Sequence, residues 1–427
     1  MKLNAITSLV PAAILSLTIF TTAVSAQTNP YVEGELVVKL NQTSDLPAVA
    51  QQYGLIATPL AQIGNRPIYR LRIQNGVPVS QIAALLQNDS LHRVSIAEPN
   101  YILGAPVAST VPWSMGISWS IGLPQSIGSS AKGYSRQWMR RQIDLDAAHE
   151  VTRGRNVKIA VIDTGIDPQH PIFAGRLLPG YDFVDNDNNP AEVGLPHVGS
   201  FGHGTHVSGI IAMVAPEAKI MPIRVLDENG VANVWRLTAA IMFAANPDGD
   251  LTTNDGANII NLSLGTTQRT SLLRKLIAAE ANDGTLPDDD DFPQVGHPGI
   301  TFVVSAGNTG NITSIYPAAE HDVPGLIAVG ASTQADIVAD FSTRGDWVEL
   351  MAPGDGIVSA VPGGRYGIWR GTSMAAPIVS GIAALVHEHY PALTPNGIFD
   401  QIRRSSVSCG GSISRRVDAE RAVTINP

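Results

Sequence analysis

Five stretches of this chain are apolar almost without a break: VKIAVID (157–163), AKIMPIRVL (218–226), ANIINLSLG (257–265), ITFVVSAG (300–307) and GLIAVGAS (325–332). A strand with one face in water alternates apolar and polar side chains, whereas a strand covered on both faces does not. These runs therefore read as strands of a parallel sheet sandwiched between two layers. Residues 203–214, 235–246, 269–282 and 373–389 carry helical patterns between and after them. Such alternation predicts an α/β domain over 136–427 with a doubly wound, mostly parallel sheet. In sheets of that kind, reactive groups gather where the chain leaves the carboxyl ends of the strands.

Residues 27–105 read as a separate, smaller α+β module. GELVVKL (34–40), IYRLRI (68–73) and RVSIAEPNYIL (93–103) suit strands, and helices are expected near 46–53 and over VSQIAALLQND (79–89). The β-α-β-α-β order is that of compact ferredoxin-like, split-βαβ folds. Residues 106–135, rich in Ser, Gly and Pro, show neither period and read as a linker or processing region. Residues 1–26 read as an export signal, with Lys2, an apolar stretch from Ile6 to Phe20, and small residues Val24 and Ala26 before the cut. Ser and Thr interrupt that stretch, which is too short for a membrane span, and no later run approaches about 18 apolar residues. The expectation is a secreted protein, extracellular or periplasmic, with no membrane association once the signal is removed. At 44% hydrophobic and 15% charged, 427 residues suffice for a sizeable core, and a formal net charge of −9 gives no basis for binding nucleic acid. The single cysteine, Cys409, excludes an intrachain disulfide and reads as a small buried thiol.

Three motifs fall at the junctions of these elements. AVIDTGID places Asp163 directly after a buried strand. GHGTHVSG opens a helix with His203 between Gly202 and Gly204, which are expected to leave its ring uncrowded. GTSMAAP opens another helix with Ser373, whose small neighbours let a substrate backbone approach. Each has an ordinary explanation when taken alone, a turn, a packed histidine or a helix cap. Together they supply a hydroxyl, an imidazole to take its proton and a carboxylate to fix the imidazole's tautomer. The order Asp, His, Ser, with separations of 40 and 170 residues, is one of the known chain orders for this set. SAGN then puts Asn308 after another buried strand, where its amide would join the first-turn N–H groups of the serine helix as an oxyanion donor.

With VIDTGID, GHGTHVSG, NLSLG, SAGN, MAPG (351–354) and GTSMAAP all present, the chain resembles the subtilase family of serine peptidases, in its thermitase-like secreted form, over about 138–423. The module before it resembles that family's inhibitory propeptide. The resemblance implies a monomeric endopeptidase acting on polypeptides, inhibited by its own propeptide, with no cofactor required for the chemistry. Asp163 would orient, His203 would act as base and then acid, Ser373 would attack and Asn308 would hold the oxyanion. Ser263, Leu264 and Gly265, with Gly230 on the other side, would pair with an extended peptide as neighbouring strands. Ala306 and Gly307 would also take part in substrate binding. Ile315 stands where the family usually has a small or polar residue, so its bulk would shorten that pocket in favour of small or medium apolar side chains. His206 falls on a structural position, and its three-residue spacing from His203 lacks the geometry of a zinc helix. DFVDNDNNP (182–190) resembles a calcium loop, with Asp182, Asp185 and Asp187 as oxygen ligands for a structural ion, a plain surface turn being the equal alternative. The acidic loop 246–256 is a weaker calcium candidate, Ile172 stands where the family's strong site has an aspartate, and the acidic run 288–291 reads as a solvated insertion. Two rival functions stay open: a peptide-ligating or cyclising acyl transferase on the same scaffold, and a non-enzymatic peptide-binding relative.

Overall fold

The structure, a computed structural model, describes residues 29–105, 129–196, 200–250, 252–281, 299–413 and 415–427. The expected export signal, most of the expected linker and the acidic run 288–291 lie outside the described residues. Across the main sheet the strands run Val407–Ser408, Arg415–Arg416, Leu350–Pro353, Leu326–Ser332, Thr301–Ser305, Ile259–Leu262, Lys158–Asp163, Lys219–Arg224 and Tyr181–Asp182. Every pairing is parallel except that between the first two. In the central strands alternate residues enter different cores. Ile159 and Val161 pack with the helices on one side, while Ala160 and Ile162 pack with those on the other. Two apolar layers explain the unbroken apolar runs.

One layer holds the histidine helix His203–Val214 and the serine helix Thr372–His389, and the other holds Val234–Ala245 and Ser271–Ala281. The histidine and serine helices cross where Gly381 meets Val214. A Cβ on Gly381 would stand 2.5 Å from the Cβ of Val214, so only glycine allows this approach. Several elements were not anticipated from the sequence, among them the hairpin Ile357–Val361/Arg365–Trp369 and the helix Pro395–Ser405.

The N-terminal module follows the expected order, with strands Tyr31–Leu40, Ile68–Arg72 and Val94–Gly104 and helices Leu46–Tyr53 and Val79–Gln87 over a core that includes Leu36, Val38, Leu71, Ile82 and Leu86. It adds a two-residue strand, Ala61–Gln62, at one edge. At the other edge Val94–Gly104 pairs antiparallel with Val231–Asn233, so the sheet continues from one domain into the next. The expected linker also differs at its end. Ala131–Ser135 is helical, and the Tyr134 hydroxyl donates to the carbonyl of Gly209 at 2.7 Å. These residues belong to the larger domain, because a buried phenol of this kind is fixed by its partner.

Replacing Gly381 by Val is expected to force the two helices apart and to lower stability by roughly 1–3 kcal/mol. Thermal melting of the variant in a Ser373→Ala background, which removes self-digestion, measures this, and an unchanged melting temperature would refute the close-packing account.

Candidate active site

Lys158–Asp163, Ile259–Leu262 and Thr301–Ser305 are neighbours in the sheet, and the candidate residues leave from their carboxyl ends. Asp163 ends the first strand, Ser263–Gly265 follow the second, and Ala306–Asn308 follow the third. Asp163 is fully buried, and its Oδ1 accepts hydrogen bonds from His203 Nδ1 and from the N–H of Thr164, each at 2.7 Å. With Nδ1 donating, Nε2 is the basic nitrogen of His203. Burial pushes the pKa of this imidazole down, but the Asp163 charge, the hydrogen bond to it and the Glu192 carboxylate outweigh burial, and the net shift is upward.

The flanking glycines act differently from expectation. Gly202 takes φ +89°, which only glycine adopts without strain, and starts the helix. At Gly204 a Cβ would lie 2.1 Å from the carbonyl oxygen of Gly165, so the glycine brings the helix backbone onto the Asp163 turn. Crowding of the ring is not what they relieve. The imidazole of His203 already lies 6.1 Å from the Trp369 ring, at 30°. His206 stacks on that indole at 4.6 Å and 5°, and burial pushes its pKa down to about 3. His206 is a neutral packing residue.

Ser373 is the second residue of its helix and is 2% exposed. Its Oγ has no hydrogen-bond partner among the described residues. A buried hydroxyl left unpaired costs about 1–3 kcal/mol. Ser200, Ser208, Thr301, Ser305 and Ser332 also carry one. What sets Ser373 apart is its place at the start of a helix, next to the Thr372 that Asn308 holds. Everything around it is tied down. The Ser373 carbonyl accepts from Ser263 Oγ at 3.2 Å, Ser263 Oγ accepts from Asn261 Nδ2 at 3.1 Å, and Asn261 Oδ1 accepts from Ser380 Oγ at 2.9 Å. Asn308 Oδ1 accepts from the N–H and the hydroxyl of Thr372 at 2.9 and 3.0 Å, which fixes the orientation of the carboxamide. Its Nδ2 lies 3.2 Å from where a Cβ on Gly371 would stand. Asn261 and Thr372 lie inside the motifs NLSLG and GTSMAAP, but the sequence alone assigns neither a role.

Ile315 is buried between two backbone segments. Cβ atoms on Gly265 and on Gly307 would each lie 2.7 Å from one of its side-chain carbons. The N-terminal module reaches the same cleft. Gly104 and Gly265 exchange both backbone hydrogen bonds, at 3.0 and 2.9 Å, and the Ala105 N–H donates to the Gly230 carbonyl at 3.2 Å. Residues 102–105 thus form a strand between the segments that carry Gly230 and Gly265.

The sequence profile of the subtilase family matches residues 154–419. The chain belongs to the subtilase family. The N-terminal part of this subtilase matches the fervidolysin N-terminal prodomain over residues 20–100. The chain is 33% identical over 374 residues to the thermophilic serine proteinase of Bacillus sp. (strain AK1), covering 85% of this chain and 80% of that protein. It is 36% identical over 262 residues to thermitase of Thermoactinomyces vulgaris, covering 59% and 82% respectively. In three dimensions it is similar to fervidolysin from Fervidobacterium pennivorans, described as a keratinolytic enzyme related to subtilisin, with a TM-score of 0.71 and 26% identity. That match covers 94% of this chain but only 62% of fervidolysin. The protein is a subtilisin-like serine protease with a prodomain.

Two prodomain side chains cap helices of the protease domain. Asn100 Oδ1 accepts from the N–H of Trp235 at 3.1 Å, and Glu98 accepts from the N–H of Ser271 at 2.9 Å. Each residue stands at the first turn of its helix, where backbone donors lack partners. The loop 182–190 is arranged differently from a cation site. Arg224 places its guanidinium 2.6 Å from both Asp182 and Asp185, Asp182 Oδ1 accepts the N–H groups of Val184 and Asp185, and Asp187 Oδ1 accepts that of Asn189. Its carboxylates are committed to an internal cation and to the turn itself, so as arranged they do not fit calcium. Among the described residues no group of three or more His, Cys, Asp or Glu is placed to hold a metal. Cys409 is half-buried, and burial together with Asp336 raises its thiol pKa, which makes it a poor nucleophile.

Burial raises the Glu98 carboxyl to about pKa 7, against the pull of the Ser271 and Leu272 N–H groups. A raised pKa favours the docked state while the group is protonated, and that contribution disappears as pH climbs through about 7. A Glu98→Gln precursor, neutral at every pH, should melt with the parent near pH 5 and above it near pH 8. Melting curves in the Ser373→Ala background at both values decide this. A lower melting temperature for the variant at pH 8 would reverse the sign.

Proposed function

We propose that this subtilase is a secreted, monomeric endopeptidase, made as a prodomain-inhibited precursor, that hydrolyses polypeptides through an acyl-enzyme formed on Ser373. The observation that carries this reading is the hydrogen bond between buried Asp163 and His203, together with the unpartnered Ser373 hydroxyl at its helix N-terminus. In the proposed sequence Ser373 Oγ bonds to the substrate carbonyl carbon while its proton passes to His203 Nε2. The imidazolium faces the Asp163 carboxylate. The carbonyl oxygen, now negative, is stabilised by Asn308 Nδ2 and the helix N-terminal backbone N–H. His203 then returns the proton to the amine as the C–N bond breaks, and a water molecule activated by the same imidazole releases the acid.

The prodomain strand supports the zymogen part. Residues 102–105 lie where an extended substrate would pair, so the cleft is filled before any peptide arrives. Secretion is supported by the signal-like start at 1–26. Among the described residues no helix is long and apolar enough to cross a membrane.

Incubation with casein and a serine-directed phosphonate tests the reading. Hydrolysis should be abolished by a single label at Ser373, and Ser373→Ala should lose at least about 1,000-fold in turnover. Ligation products in place of hydrolysis would favour the acyl-transferase alternative, and neither label nor turnover would favour a binding protein.

The packing of Ile315 against Gly265 and Gly307 supports a short specificity pocket. A peptide library is expected to favour Ala, Val or Leu before the scissile bond. Ile315→Gly should raise kcat/KM for Phe or Tyr there by about tenfold or more. A native preference for Phe or Tyr would reject the short pocket.

A further inference from the structure

We propose that Glu192 is a positioning residue of this protease, whose carboxylate clamps the start of the histidine helix onto the Asp163 turn and sets a second negative charge near the His203 imidazole. The inference rests on the proposed roles of Asp163, His203 and Ser373 and adds a residue to them. The segment carrying Glu192 is fastened to the chain just beyond Asp163: Ile166 N–H donates to the Pro190 carbonyl at 3.0 Å, and Glu192 N–H to the Ile166 carbonyl at 3.1 Å. From there the side chain reaches the helix start. Oε2 accepts from the N–H of Gly202 at 3.0 Å, and Oε1 accepts from the N–H and the hydroxyl of Thr205, each at 3.0 Å. The Thr164 hydroxyl also donates to Oε1, at 3.1 Å, and itself accepts the N–H of Gly204 at 2.8 Å. Thr205 Oγ1 in turn accepts the N–H of Asp167 at 2.9 Å.

The backbone donors on both sides of His203 therefore end on Glu192 or on a threonine that Glu192 holds. Helix N-termini favour a carboxylate, and this one engages four donors from three residues. Such a clamp fixes where the imidazole stands relative to Asp163. The charged and titratable groups facing His203 are Asp163 from the strand, Glu192 from the loop and His206 from its own helix, the last buried and neutral. Burial, with the Asp163 charge, raises the pKa of the Glu192 carboxyl, and the N–H groups of Gly202 and Thr205 pull against that rise and favour the charged form. With Asp167, Glu192 borders a cavity of about 580 Å³ beside Phe201 and Pro362. Both carboxylates stabilise the imidazolium that forms as Ser373 gives up its proton.

The test is the pH dependence of kcat/KM on a peptide substrate for the wild type, Glu192→Gln and Glu192→Asp. Glu192→Gln keeps the shape and loses the charge. Its acidic limb should move down by about 0.5 pH unit, with about a threefold lower plateau, because imidazolium is then less favoured. Glu192→Asp keeps the charge but shortens the reach, so turnover should fall with the limb in place. An unshifted limb in Glu192→Gln, whatever its turnover, overturns the proposal and leaves Glu192 as a structural cap. Should Glu192→Gln fail to process itself, the same shift is read from the His203 imidazole resonances in Ser373→Ala precursors with and without the substitution. Activity surviving in Ser373→Ala or His203→Ala would instead sink the underlying triad reading, which separates the two failures.

Discussion

The structure depends on the contact between the Asp163 carboxylate and the His203 imidazole, 2.7 Å long and sealed from water. Neither group could be buried alone without a large desolvation cost, and each relieves the other. The contact forms because a parallel sheet delivers Asp163 to a fixed point and because the histidine helix can approach that point. Gly204 is what allows the approach, since its missing Cβ leaves room for the Gly165 carbonyl. The serine helix is set against the same neighbour by the same device, at Gly381 against Val214. Two glycines in two helices thus decide the spacing of groups that lie 170 residues apart in sequence.

The prodomain uses the same sheet physics on a second edge. Its last strand pairs with Val231–Asn233 and with Gly265, while Glu98 and Asn100 satisfy the first-turn donors of two helices in the protease layer. A strand in a groove alone would be replaceable by any extended peptide. Caps on two helix ends fix its register and give the docked state a polar signature that a passing substrate lacks. Under the proposed function, holding the prodomain and recognising a substrate would share backbone contacts but differ in side chains.

How far the sequence could be read follows from which forces act locally. Apolar runs revealed the strands because burial on two faces removes the alternation, and the motif order placed Asp163, His203, Asn308 and Ser373 at strand ends and helix starts. The short edge strand Ala61–Gln62 and the hairpin at 357–369 carry too little periodicity to stand out. Helix Ala131–Ser135 was hidden in a Ser- and Gly-rich stretch, since the Tyr134–Gly209 bond that anchors it is a tertiary contact. Asp182 and Asp185 suggested a cation loop because the guanidinium that neutralises them comes from Arg224, on another strand. Glu192 gave no signal at all: eleven residues before His203, it matters only once the chain doubles back under the helix.

One hydroxyl stays unbonded at the start of the serine helix. Asn261, Ser263, Thr372, Asn308 and Ser380 form a buried polar network in which backbone and side chains of the serine turn are bonded, yet the Ser373 hydroxyl is not. A fold selected for stability alone would give that oxygen a partner or replace it with a methyl group. Keeping it unpaired inside a rigid cage costs stability, and under the proposed mechanism nothing would have to be broken before the hydroxyl meets an acyl carbon. In the proposed zymogen, with that hydroxyl already free, the prodomain strand across the cleft would be what controls access.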